Sequence, residues 1–197
     1  MSTDNEVIER SIGSPEEFAA LYDRHAGTIH RYAARRIGAE VADDILSETF
    51  LVAFDKRRAF DATATSALPW LLGISTMLLK QHARREAVAW RGMVAGIAAD
   101  VVPDAIELAG ARMDAARSTK RIESALRRLS AGDRDTLLLY AWGDLDYQGV
   151  ADALGIPLGT VRSRLNRARR LLRSALDIVT DKETFHGRTD TAPQRSY

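Results

Sequence analysis

Apolar residues recur every three or four positions through two long stretches of the chain, Phe18–Leu79 and Ile122–Leu176. This spacing places side chains on one face of a helix. Neither stretch contains the strict alternation of apolar and polar residues that marks a half-buried strand. The pattern therefore predicts an all-α protein. Because the periodicity weakens between the two stretches, we expect two small helical domains joined by a linker.

Cap and turn residues suggest where these domains begin and end. Ser14 precedes Pro15 and two glutamates, which is typical of a helix start. Scattered glycine and proline residues follow the first domain, and the C-terminal end is polar and aperiodic. We predict a flexible N-terminus at 1–14, a helical domain at 15–87, a linker at 88–118, a second helical domain at 119–177 and a disordered tail at 178–197.

Charge is distributed unevenly along the chain. The formal net charge is only +1, yet the segment Gly155–Leu176 carries six arginines and no acidic residue. This segregation predicts two chemically different surfaces. The chain has no cysteine, which excludes disulfides and thiolate metal sites and suits a reducing compartment. No apolar run approaches the roughly 20 residues of a membrane span, so we expect a cytoplasmic protein without membrane insertion.

The basic segment has the pattern of a helix-turn-helix. Asp146 can cap a short helix, YQGVADAL, and Gly155 follows it where a left-handed turn residue is commonly needed. In the next helix Val161, Leu165, Ala168 and Leu172 form an apolar stripe. DNA-binding proteins of this kind insert the second helix into the major groove. The residues predicted to face outward are Arg162, Ser163, Asn166, Arg167 and Arg170, with Arg164, Arg169 and Arg173 on the flanks.

The run Leu129–Leu176, beginning LSAGDRDTLLLYAW and containing GTVRSRLNRARRLL, resembles region 4 of bacterial sigma factors. The resemblance is to the extracytoplasmic-function (ECF) group of the sigma-70 family. It implies that the helix containing GTVRSRLNRAR reads the −35 promoter element, with Arg164 and Arg170 on the DNA backbone. The DNA contacts it implies are Thr160, Arg162, Ser163, Arg164, Asn166, Arg167 and Arg170.

The helix predicted for VADDILSETFLVAF, Val41–Phe54, has an acidic polar face. Acidic side chains repel phosphate, so this face is unsuited to DNA. On pattern alone, a solvated surface is the more common interpretation. The stretch resembles the family motif DAEDLVQETFLRAW, whose helix docks on the clamp helices of the polymerase β′ subunit. The polymerase contacts implied by this resemblance are Asp44, Ser47, Glu48, Thr49 and Leu51.

The segment SALPWLLGISTMLLKQHARRE, Ser66–Glu86, resembles the family's reader of the −10 element. The loop Phe60–Ala67 before it corresponds to the place where family members hold a base extruded from the non-template strand. Two departures, Gly73 in place of the usual Arg and Met77 in place of the usual Asn, predict −10 recognition that is altered in sequence preference or reduced in strength. The −10 contacts implied are Phe60, Thr63, Met77, Lys80, Gln81, Arg84 and Arg85.

These features predict an RNA polymerase sigma factor rather than an enzyme, with no cofactor. The four histidines lie far apart in sequence without a catalytic or metal-binding pattern. By resemblance, the partners are core RNA polymerase (β′ clamp helices and β flap), promoter DNA and an anti-sigma factor. The alternative is a stand-alone helix-turn-helix regulator that binds operator DNA without polymerase, usually as a dimer. Such a regulator has no need of the acidic helix.

Overall fold

A computed structural model describes residues 2–94 and 124–184, and these residues form helices and connecting turns without any strand. The all-α prediction is confirmed. The helices of the N-terminal domain are α1 (Asp4–Ser11), α2 (Ala19–Ile37), α3 (Ala39–Lys56) and α4 (Leu68–Val94). A helical segment at 124–128 precedes the helices of the C-terminal domain, which are α5 (Ala131–Trp142), α6 (Tyr147–Leu154) and α7 (Leu158–Thr184).

Helices α2, α3 and α4 enclose the core of the N-terminal domain. Gly38 alone separates α2 from α3, and its φ of 92° is a backbone conformation that glycine adopts without strain. The largest buried side chains here include Leu21, Ile29, Tyr32 and Leu71. Each comes from the apolar face of its own helix, as expected for a bundle.

Helix α1 corrects the prediction of a flexible N-terminus at 1–14. Thr3 and Glu6 form a capping box: the Thr3 hydroxyl accepts from the Glu6 amide at 3.3 Å, and the Glu6 carboxylate accepts from the Thr3 amide at 3.0 Å. Val7 and Ile8 are buried in the domain core. Two apolar residues give a weak sequence signal, and so short a helix depends on such packing for its stability.

The C-terminal domain confirms the helix-turn-helix. The Asp146 carboxylate accepts from the Gly149 amide at 2.7 Å and so caps α6. Gly155 adopts the left-handed conformation, with φ 60° and ψ 40°. In α7, Val161, Leu165 and Ala168 are buried. The Asp146 cap, the left-handed turn at Gly155 and the buried stripe of α7 together fix the angle between α6 and α7.

Two predicted boundaries need adjustment. Helix α4 continues to Val94, so the start of the predicted linker is helical, while its remainder at 95–118 lies outside the described residues. Helix α7 continues to Thr184, so the prediction of disorder was wrong for 178–184, and 185–197 also lie outside the described residues. Within the described ranges, no helix has both the length and the apolar character needed to cross a membrane.

The two domains pack against each other through α6 and α4, and their buried apolar residues form one continuous cluster. Gly73 of α4 faces the backbone of Ala153 in α6: a Cβ atom added at Gly73 would lie 2.4 Å from the Ala153 carbonyl oxygen. Real Cβ atoms do not approach so closely, and the obstacle is backbone rather than a flexible side chain. This approach of the two helices therefore requires glycine.

A buried ionic network joins the same two domains. The Asp135 side chain on α5 is 2% exposed, and its Oδ1 accepts a hydrogen bond of 2.8 Å from Arg36 Nη2 on α2. Lys80 Nζ on α4 lies 2.6 Å from Asp135 Oδ2. Arg36 also donates to the Tyr32 hydroxyl at 2.7 Å, which in turn contacts Thr76 Oγ1 at 2.9 Å. A buried carboxylate is costly unless it is paired, so this network stabilises one orientation of the domains.

Gly73→Ala should weaken the contact between the domains. Alanine favours a helix interior by about 1 kcal/mol over glycine, so α4 itself gains stability. Overpacking a fitted contact costs about 1–3 kcal/mol, which raises the ratio of separated to closed protein about 5- to 150-fold. Because the chain has no native cysteine, dyes placed by Glu9→Cys and Ser174→Cys report the distance by energy transfer. Gly27→Ala, whose added Cβ meets only the Arg31 side chain, is the control; equal distance distributions in both variants would contradict the account.

Candidate DNA and protein interfaces

The outward side of α7, here called the basic face, consists of Arg162, Ser163, Asn166, Arg167 and Arg170, all of them exposed. It continues into a groove of about 540 Å³ lined by Asn166, Arg169, Arg170, Arg173 and Ser174. Forked guanidinium donors beside short polar side chains suit phosphate oxygens and guanine edges. The face therefore has the composition of a major-groove reader.

The arginines of α7 differ in how firmly they are held. Arg167 binds the Asp133 carboxylate through Nη2 at 2.7 Å and Nε at 3.2 Å, and this hydrogen bonding lowers the pKa of Asp133. Arg169 donates to the Tyr147 hydroxyl at 3.0 Å, which ties α7 to α6. Arg162 makes no side-chain hydrogen bond to the described part of the chain. Arg167 is thus held in one orientation by Asp133 of α5, whereas Arg162 has no such partner among the described residues.

Thr160 and Arg164 lie beside the basic face and are both half-buried. The Arg164 guanidinium packs on α5, where a Cβ added at Gly132 would lie 3.0 Å from its central carbon. The Thr160 carbonyl accepts the Ser163 hydroxyl at 2.9 Å. All seven residues predicted to contact −35 DNA are thus gathered on or beside one side of α7.

The predicted polymerase contacts lie on α3, and the acidic face is defined here as Asp44, Ser47, Glu48 and Leu51. Asp44 and Ser47 are exposed, Glu48 is half-buried and Leu51 is 62% exposed. Thr49 is the exception: it is fully buried, and its hydroxyl donates to the Ile45 carbonyl at 2.6 Å. The sequence motif did not reveal this, because Thr49 falls on the apolar side of the helix. We therefore leave Thr49 out of the acidic face.

The loop before α4 forms one wall of a cavity of about 480 Å³. Phe60 and Trp70 pack with ring centroids 5.1 Å apart, and Trp70 is half-buried, in keeping with a core anchor. The Asp61 carboxylate accepts from the Thr63 amide at 2.9 Å and from its hydroxyl at 2.7 Å. The cavity is lined by Phe60, Asp61, Thr63, Ala64, Thr65, Ser66, Pro69 and Trp70, together with Gln148 and Asp152 of α6.

The predicted −10 contacts on α4 lie beside the C-terminal domain. A second cavity, of about 320 Å³, is lined by Gly73, Thr76, Met77, Lys80, Gln81, Arg84, Ala153 and Leu154. Met77, Arg84 and Arg85 are exposed, whereas Lys80 is engaged by Asp135. Helix α6 therefore lines both cavities, next to the loop and the α4 residues that are predicted to contact the −10 element.

Comparison with known proteins settles the family. The family model for sigma-70 region 2 matches residues 21–88, and the model for sigma-70 region 4 matches residues 119–172. The ECF RNA polymerase sigma factor SigL of Mycobacterium tuberculosis (strain H37Rv) is 32% identical over 158 residues, or 80% of this chain and 87% of SigL. The chain belongs to the ECF group of RNA polymerase sigma factors. In this sigma factor, region 2 holds the acidic face and region 4 holds the basic face.

Solved structures show the same fold. CnrH, determined in complex with the cytosolic domain of CnrY, superposes with a TM-score of 0.63 at 23% identity, covering 90% of this sigma factor and 99% of CnrH. The sigma factor RpoE of Bartonella quintana, determined with the anti-sigma factor NepR, has a TM-score of 0.58 at 21% identity. That match covers 83% of this sigma factor and 98% of RpoE.

Proposed function

We propose that this sigma factor is a dissociable promoter-specificity subunit whose three surfaces have separate tasks. The acidic face docks on the β′ clamp helices of core polymerase, the basic face reads the −35 element, and the loop with α4 reads the −10 element. The protein works by binding, without bond chemistry, in the cytoplasm. The observation that carries the proposal is that exposed acidic and exposed basic helices lie on different domains of one chain.

Electrostatics supports this division. A phosphate backbone attracts the exposed arginines of α7 and repels the carboxylates of α3, so the two helices cannot serve the same partner. Leu51, exposed among the acids, supplies an apolar contact that a protein partner can cover. The acidic face therefore suits a protein surface with basic side chains around an apolar spot.

The contact between the domains means that this conformation cannot occupy a promoter. The −35 and −10 elements lie about 25 base pairs apart, which is about 85 Å at 3.4 Å per base pair. In the structure α6 of the −35 reader touches α4 of the −10 reader. The two domains must therefore separate before both elements are bound. We infer that core polymerase holds them apart, region 2 on the β′ clamp helices and region 4 on the β flap.

Separation would also release groups that the −10 reader needs. Lys80 would lose its contact with Asp135, and Gln148 and Asp152 would leave the cavity beside the loop. A partner that binds both domains and favours the closed arrangement would keep the protein inactive. We include an anti-sigma factor among the proposed partners, since RpoE of Bartonella quintana was determined in complex with the anti-sigma factor NepR.

The function is tested by transcription with purified protein and sigma-free core polymerase on genomic fragments from the source organism. We expect new transcript starts preceded by shared −35 and −10 motifs at one spacing. Duplex binding without polymerase, together with no new start, would instead establish a stand-alone regulator.

Glu48→Lys combined with Leu51→Asp should weaken binding to core polymerase about 100-fold or more, since it reverses the charge at position 48 and removes the apolar contact of the acidic face. Both positions are accessible, so folding should be preserved. Glu16→Gln, an exposed change with the same net charge effect, is the matched control. Affinity is measured by fluorescence anisotropy with core polymerase. Wild-type affinity in the double variant would show that the acidic face does not contact core polymerase.

Arg162→Ala should reduce discrimination at one −35 base pair by about 1–3 kcal/mol if its guanidinium reads a base. Thermal stability should not change, because the side chain makes no internal hydrogen bond to the described residues. Asp133→Asn is the companion variant, since it frees Arg167 while keeping every basic group. The measurement is transcription from promoters with each base at every −35 position. An unchanged profile for Arg162→Ala would show that this side chain reads no base.

A further inference from the structure

The N-terminal helix α1 packs directly on the loop 60–67. Asn5 Nδ2 donates to two loop carbonyls, those of Ala62 and Ala64, at 2.7 Å each. Asp4 Oδ2 accepts from the Ala67 amide at 2.8 Å and from the Ser66 hydroxyl at 3.1 Å. Four hydrogen bonds from two adjacent residues thus hold both the middle and the end of the loop.

Asp4 is itself held on both sides. Its side chain is 9% exposed, and it receives Arg24 Nη1 at 2.9 Å on Oδ1 and His25 Nε2 at 2.8 Å on Oδ2. Burial acts to raise the pKa of Asp4, but the hydrogen bonds from Ala67, Arg24 and His25 lower it to about 2. Asp4 is therefore a carboxylate at neutral pH, and it links α2 to the loop through α1.

Contacts other than those from α1 fix only parts of the loop: Asp61 holds Thr63, and Phe60 packs on Trp70. The loop sequence from Ala62 to Ser66 is ATATS, which offers no large apolar side chain to anchor it in the core. Thr63 and Thr65 are exposed and line the cavity of about 480 Å³. A pocket that selects one base over another must hold its polar groups in place before the base arrives. Among the described residues, the side chains of another element that hydrogen-bond to this loop come from α1.

We propose that Asp4 and Asn5 are positioning residues for −10 recognition, because they fix the loop 60–67 against which an extruded base is read. The inference rests on the proposed function, in which this loop reads the −10 element. Neither residue lines the cavity beside the loop: Asn5 acts through loop carbonyls, and Asp4 acts through the Ala67 amide and the Ser66 hydroxyl. The cost of extruding a base is offset only when its contacts are preformed.

Asn5→Asp is the sharpest test because it changes one group without changing shape. It replaces the amide donor with a carboxylate that faces the carbonyls of Ala62 and Ala64. A carboxylate in the first turn of α1 is favourable to the helix, so α1 itself should persist. Asn5→Ala removes the donor without adding charge, and Glu9→Ala, at an exposed position of the same helix, is the control.

Transcription is measured with each variant bound to core polymerase, on promoters that carry each of the four bases at every −10 position. We expect the ratio between the best and worst base at one −10 position to fall about five- to tenfold in Asn5→Asp and less in Asn5→Ala. Discrimination at −35 positions should stay at the wild-type value. Partial unfolding would lower transcription from every promoter alike, so it leaves these ratios unchanged. If Asn5→Asp does not fold, Asn5→Ala tests the same prediction.

The outcomes separate the inference from the proposed function. If the wild-type protein distinguishes −10 bases and both Asn5 variants match it, α1 does not position the loop. If the wild-type protein supports no promoter-specific start, the proposed function itself fails. Loss of −10 discrimination in the Asn5 variants, with Glu9→Ala unchanged, supports the assignment.

Discussion

The buried carboxylate of Asp135, shared by Arg36 and Lys80, is the interaction on which the observed arrangement of the two domains depends. Removing either cation would leave this buried carboxylate short of a partner, which is destabilising. The close approach of Gly73 to Ala153 lets α6 lie directly against α4 in the same arrangement. A polar network thus fixes the orientation, while the apolar cluster shared by both domains supplies the burial.

This arrangement has consequences for how the surfaces are used. The acidic face and the basic face remain exposed, so the closed protein can meet core polymerase and a −35 element. Lys80 is occupied, and Gln148 and Asp152 border the loop cavity, so −10 recognition is the step that the closed arrangement opposes. In the proposed function, recognition of the −10 element is therefore coupled to opening of the two domains, and by the further inference it also depends on α1.

Local features were predictable from sequence, whereas features that join distant residues were not. The cap at Asp146, the turn at Gly155 and the apolar stripe of α7 follow from neighbouring residues. Helix α1 was missed because its stability comes from tertiary packing and not from its own pattern. The network around Asp135 joins residues 99 positions apart in sequence, so no local pattern reveals it. Likewise the helical motif placed Thr49 with its accessible neighbours, although its side chain is buried.

The most direct test of this account is the distance between the two domains in the free protein and in the transcription complex. Dyes at Glu9→Cys and Ser174→Cys measure it by single-molecule energy transfer before and after core polymerase and promoter DNA are added. The account predicts high transfer in the free protein and a drop to low transfer in the promoter complex. High transfer that persists while transcripts are being made would contradict the claim that the domains separate to read the promoter.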